Sequence, residues 1–190
     1  TVDDEYLFSV KDEVENKGPT EISLLPYARI YRYSVPASLA NWILHEGLIG
    51  VAGTHGLKYV TYYDAAKSGA PITHEQVTGG WLGITDKYWA AALVPDQAQP
   101  FRMMLSALPK RAANDHDALQ ADYLRNALAI PSGGRAEVVA KLYAGAKQAT
   151  LIDTYEEKFG IKNFELMIDW GWFYFITKPL FHLMEYINAH

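Results

Sequence analysis

Histidines next to carboxylates are the side chains here best suited to moving protons or holding a metal. His45-Glu46, His55 and His74-Glu75 fall in glycine-rich, loop-like surroundings. A histidine beside a carboxylate can take up or release a proton near neutral pH. Metal binding on a helix asks for His-x3-His or His-Glu-x-x-His spacing, and neither occurs. His116, inside Asn114-Asp115-His116-Asp117, reads as a solvated loop. With no cysteine there is no disulfide framework, thiolate zinc site or Cys nucleophile. Gly79-Gly80 would cradle a phosphate only before a helix, and a strand pattern follows instead. The two glycines read as permitting close strand approach. Trp81 and Trp89 flank an Asp86-Lys87 turn and read as core filling. The reading expects no catalytic residue, no metal ligand and no cofactor.

The other candidate is physical rather than chemical. Residues 169–190 carry Trp170, Trp172, Phe173, Tyr174, Phe175, Phe181 and Tyr186 on a helical repeat. Apolar side chains recur at Trp172, Phe175/Ile176, Pro179/Leu180, Leu183/Met184 and Ile187, one broad helix face. Thr177, Lys178, His182, Glu185 and Asn188 mark the other side. Such a stripe suits a large apolar neighbour or the headgroup layer of a bilayer, where Trp and Tyr keep one wet edge. Crossing is a different matter. A span needs about 20 mostly apolar residues, and each charge near its centre costs roughly 2.5–3.5 kcal/mol. With Lys178, His182 and Glu185 inside the stretch, lying on a membrane is cheaper than crossing it. Pro179 in an unkinked interior costs about 3 kcal/mol; burying one ring offsets about as much, so a bent helix is expected.

The rest of the chain must hold this stripe in place. At 190 residues and 49% apolar it can bury a real core. The net charge of −5 sits in residues 1–24, with seven acids against two bases. The remainder carries no basic stripe, which argues against nucleic-acid binding. No leader pattern is visible at Thr1 and no apolar run is long enough to span, so the chain is expected to behave as a soluble unit.

Strand signals dominate the first two-thirds. Strands are predicted over Tyr6–Val14, over Glu21–Val35 with Pro26 as a bulge or edge mark and Val35-Pro36 as the stop, and around Leu48–Val51 and Lys58–Tyr63. Further strands are predicted from Gly80 to Ile84, Tyr88 to Val94 with Pro95 as the stop, and Phe101 to Leu108. Asp117–Ile130 fits either a helix or a strand by spacing alone. Pro131-Ser132-Gly133-Gly134 turns the chain into a strand from Ala136 to Ala144. Lys147–Phe159 reads as a helix with Leu151 or Ile152, Tyr155 and Phe159 on one face and Gly160 as its stop. Strands followed by helices predict a mainly antiparallel β sandwich with C-terminal α-helices, divided as a sandwich at 1–146, a packing helix and connector at 147–168 and an amphipathic helix at 169–190.

Three segments resemble one family. Asp169-Trp170-Gly171-Trp172-Phe173-Tyr174-Phe175-Ile176-Thr177-Lys178-Pro179-Leu180-Phe181 is similar to the segment closing the large periplasmic domain of YidC-type membrane protein insertases, just before their second transmembrane helix. Gly79-Gly80-Trp81-Leu82-Gly83 with Tyr88, Trp89 and Pro95 resembles a strand motif of that domain. Asp4-Glu5-Tyr6-Leu7-Phe8-Ser9-Val10 with Val14-Glu15-Asn16-Lys17-Gly18 is similar to its strand and turn.

The resemblance resolves Asp117–Ile130 as strand and implies the later part of a β-supersandwich related to galactose mutarotases. Earlier strands and a first transmembrane helix would then lie upstream, and the insertase core downstream. It implies a non-catalytic domain on the periplasmic side of the bacterial inner membrane. The implied partners are nascent membrane proteins and accessory subunits of the Sec translocon. Trp170, Trp172, Phe173, Phe175, Ile176, Leu180, Leu183, Met184 and Tyr186 would seat on the membrane, with Lys178 and His182 directed to headgroups or water. The alternative is a carbohydrate-active or carbohydrate-binding sandwich of the mutarotase type, in which His74, Glu75 and Asp86 would move protons at a sugar's anomeric carbon. A module that only binds is a third option.

Overall fold

The computed structural model describes residues 1–3, 5–33, 46–68, 72–108 and 118–189. Its strands run β1 (Leu7–Glu15), β2 (Ile22–Leu24), β3 (Tyr27–Tyr33), β4 (Gly47–Ala52), β5 (Leu57–Thr61), β6 (Ile72–Val77), β7 (Gly80–Thr85), β8 (Trp89–Val94), β9 (Phe101–Leu108), β10 (Ala118–Arg125), β11 (Leu128–Ile130) and β12 (Arg135–Ala146). Helices are α1 (Tyr62–Ser68), α2 (Ala149–Phe159) and α3 (Tyr174–Ala189), with 3₁₀ turns at Gly53–His55 and Phe164–Met167. One sheet has the order β1-β12-β8-β7-β4-β5, a second β3-β10-β9-β6, and β11 pairs β2 separately. The described ladders are antiparallel. The expected antiparallel sandwich with C-terminal helices is what the chain forms.

Alternation along β4, β7 and β8 builds two cores from one sheet. Leu48, Leu82, Ile84 and Leu93 face the second sheet, meeting Met103, Leu105, Leu119 and Ala121. Ile49, Val51, Trp81, Ala92 and Val94 point the other way, against Ile152, Tyr155, Ile161, Phe164 and Met167. A strand buried on both faces reads as a continuous apolar run, which is the pattern of Gly80–Thr85 and Trp89–Val94. Residues 147–168 therefore form a third layer on the large sheet. Gly160 closes α2 in the left-handed conformation, as its position after Phe159 requires.

Three sequence readings need correction. The segment Glu21–Val35 is two strands: Leu25-Pro26 breaks it, β2 pairs β11, and β3 pairs β10. The strand from Lys58 stops at Thr61, and Tyr62-Tyr63 open α1. The reason is an N-cap: the Asp64 backbone N–H donates to Thr61 Oγ1 (2.9 Å), and the Thr61 hydroxyl donates to the Asp64 carboxylate (2.8 Å). His74-Glu75 lie on β6 rather than in a loop. The ambiguous Asp117–Ile130 is strand from Ala118. His45, His116 and the Val35-Pro36 stop lie outside the described residues.

Candidate functional site

The proton-moving residues of the carbohydrate alternative are not assembled. Asp86 opens the β7–β8 turn and pairs with Arg32 Nη1 of β3 (2.6 Å), and the Tyr62 hydroxyl donates to Asp86 Oδ1 (2.6 Å). Burial, then this bond to a carboxylate, pushes the Tyr62 phenol well above its ordinary range. His74 sits on β6, its ring stacked on His55 with centroids 5.0 Å apart. β3 and β6 are opposite edges of the second sheet, so three strand spacings, about 14 Å, separate His74 from the Arg32–Asp86 pair. Burial, then the nearby Lys58 and His55, lowers the His74 pKa. Among the described residues no group of three or more His, Asp or Glu could hold a metal.

Gly79-Gly80-Trp81 is a packing device. Gly80 has φ +129°, and a Cβ there would lie 2.0 Å from the Val51 carbonyl oxygen. Trp81 is fully buried, edge-on to Phe164 at 5.5 Å. Gln97, which sequence reasoning missed, clamps this corner. Its Oε1 accepts the Gly80 N–H (2.9 Å), and its Nε2 donates to the carbonyls of Gly80 and Pro95 (both 2.8 Å). A polar residue two positions after a strand-ending Pro95 was the available signal. Tyr88 and Trp89 are exposed at the turn on the far end of the β7–β8 hairpin, so of the two tryptophans only Trp81 fills the core. Trp89 borders a cleft of about 330 Å³ with Ile30, Arg32 and Asp86.

The aromatic tail forms a surface. Gly171, at φ +70°, turns the chain after Asp169, whose Oδ1 accepts the Gly171 N–H (2.9 Å). α3 then runs through Pro179 without interruption of its range. Trp172 is 98% exposed, and Phe173, Phe175, Ile176, Leu180, Leu183, Met184 and Tyr186 are all more than half exposed. At about 100° per residue, Ile176, Leu180, Leu183 and Ile187 stand opposite Lys178.

Three side chains of this segment, Trp170, Lys178 and His182, make contacts within the domain. Trp170 is half-buried and packs its ring on Phe181 at 5.6 Å. Lys178 binds the carboxylates of Asp153 (3.1 Å) and Glu165, and His182 Nε2 lies 3.2 Å from Asp153 Oδ2. Burial alone would lower the Lys178 ammonium; hydrogen bonds to Glu165 and Asp153 reverse this and raise its pKa above the ordinary lysine value. The physical reason is proximity. The Gly171 turn brings α3 back beside α2 and the 3₁₀ turn, where two carboxylates outcompete water for the cation.

Fold and surface together define a β-sandwich module that carries an amphipathic helix with an exposed aromatic face. No described helix is long and apolar enough to cross a membrane. Residues 1–183 match the family described as the YidC periplasmic domain, and the chain belongs to that family. It is 44% identical over 186 residues to "Membrane protein insertase YidC" of Sinorhizobium medicae, covering 98% of this chain and 30% of that protein. Proteins of the same name from a Methylobacterium species and Brucella suis are each 44% identical, over 97% and 98% of this chain and 30% of their own length. The chain thus spans about a third of the relatives it matches.

Proposed function

We propose that this chain is a non-catalytic scaffold on the periplasmic side of the bacterial inner membrane, part of a machine that inserts and folds membrane proteins. In this reading α3 seats the domain on the outer interface of the bilayer. Trp172, Phe173 and Phe175 enter at the headgroup level, and Ile176, Leu180, Leu183 and Met184 reach the acyl boundary, with Tyr186 at the rim. The observation that carries the reading is the exposure of this apolar face while the helix's polar side is tied to the body. A contiguous apolar surface of this kind marks an interaction site, and fully burying one Leu or Phe contributes about 1.5–3 kcal/mol. The relatives' name, membrane protein insertase, supports a membrane as the neighbour. Nascent membrane proteins, and accessory subunits of the Sec translocon, are the partners this reading assigns to the domain's sheet surfaces.

Co-sedimentation with phosphatidylethanolamine–phosphatidylglycerol vesicles tests it. The chain is expected to bind, and Trp172→Ala combined with Phe175→Ala to weaken binding about tenfold or more, since tenfold corresponds to only about 1.4 kcal/mol. Binding that is absent, or indifferent to these changes, rejects the reading.

A further inference from the structure

Lys178 and His182 give α3 an ionic tie to the body of the domain. Lys178 lies between Asp153 of α2 and Glu165 of the 3₁₀ turn, at 6.0 Å over the Trp170 ring. His182, one turn on, adds its contact to Asp153. Glu165 is itself positioned, its backbone N–H donating to Glu156 Oε2 at 2.8 Å. These side chains are 21–37% exposed, so water screens them only in part. The two covalent joints nearby do not fix a direction. Gly171 is in the left-handed region with open space where a Cβ would be, and Pro179 removes the amide that would bond to the Phe175 carbonyl. Beside the local bonds of Thr177 Oγ1 to the Trp170 and Phe173 carbonyls and the packing of Phe181 on the Trp170 ring, the ionic contact is what ties α3 to α2 and the 3₁₀ turn. An ammonium suits this place because one compact charge with three donors can serve two carboxylates from different elements.

We infer that Lys178 is a positioning residue: bridging Asp153 and Glu165, it sets the angle at which α3 leaves the sandwich and so the tilt of the domain on a lipid surface. The part concerning tilt rests on the membrane reading above; the part concerning the angle does not. The chain has no cysteine, so nitroxides can be placed singly or in pairs. With labels at the exposed Val139 and Ile187, the protein free in solution is expected to give one narrow distance, kept in Lys178→Arg and lost in Lys178→Gln. Glu165→Gln attacks the bridge from the other side and decides the matter if Lys178→Gln fails to fold. An unchanged narrow distance in the Gln variants overturns the inference. On phosphatidylethanolamine–phosphatidylglycerol vesicles, the Val139 label of the native chain is expected at one distance from the lipid surface and that of Lys178→Gln at a spread of distances. An equally narrow lipid distance in both overturns the claim about tilt. If the native chain does not bind vesicles, the membrane reading fails while the distances in solution still judge the bridge.

Discussion

The indole Nε1 of Trp81 donates to the Asn163 carbonyl at 3.2 Å, so the most central aromatic of the large sheet also fixes the turn that leads toward α3. Trp81 touches Phe164 edge-on, and Phe164 in turn packs on Tyr143 at 5.6 Å. One side chain thereby joins strand, connector and helix layer.

Trp81→Ala is expected to lower stability by about 3–5 kcal/mol, the range for emptying a buried aromatic site. Trp81→Phe retains part of the packing but abandons the Asn163 bond and is expected to lose less. Urea unfolding read by far-ultraviolet circular dichroism checks both; equal losses would mean that the packing retained by a phenyl ring contributes nothing.

Gly80 and Gln97 hold the corner beside it. Gly80→Ala places a Cβ against the Val51 carbonyl at a φ that L residues avoid, and is expected to destabilise by about 1–3 kcal/mol. Gln97→Leu leaves the Gly80 N–H and carbonyl without their side-chain partner, a loss of about 1–3 kcal/mol. Because both changes remove one clamp, the double variant should lose less than the sum. A fully additive double variant would contradict the clamp.

The acid limb of stability should carry Asp3. Burial would raise its carboxyl, but the Tyr155 hydroxyl (2.5 Å) and the backbone N–H groups of Leu7 and Glu5 (each 3.0 Å) outweigh it, and its pKa lies below the ordinary 3.8. A carboxylate lowered in the folded state binds fewer protons there than when unfolded. Its contribution is therefore present above pH 3.8 and lost as the pH falls through the lowered value. Asp3→Asn should flatten thermal stability between pH 5 and pH 2; an unchanged acid limb would show that the Tyr155 contact contributes nothing.

With His74 and Asp86 tied to opposite edges of the second sheet, no aldose is expected to raise the melting temperature, and none to mutarotate faster in the presence of the chain. A sugar that stabilises the fold at sub-millimolar concentration would revive the carbohydrate alternative.

Periodicity was a good guide wherever a strand is buried on both faces or a helix is long. Gly80–Thr85, Trp89–Val94 and Phe101–Leu108 were legible as strands, and Ala149–Phe159 with Gly160 behind it as a capped helix. It failed where a short local bond decides. Thr61 and Asp64 cap a helix inside what hydropathy reads as strand, and Pro26 splits a strand between two sheets. β6 was missed because its half-buried His74 and exposed Glu75 and Gln76 carry no apolar alternation. At the tail, the amphipathic stripe was legible, whereas the destination of Lys178 was not. Asp153 and Glu165 lie 25 and 13 residues upstream on other elements, and the Gly171 turn brings them together.

The most direct test of the account places an environment-sensitive NBD fluorophore on Ile187→Cys, at the centre of the apolar face, with Val139→Cys on the body as control. On adding phosphatidylethanolamine–phosphatidylglycerol vesicles, the account predicts a blue-shifted, brighter emission at Ile187 and an unchanged spectrum at Val139. An Ile187 signal that stays at its aqueous wavelength at saturating lipid would contradict the claim that this helix belongs at a bilayer surface.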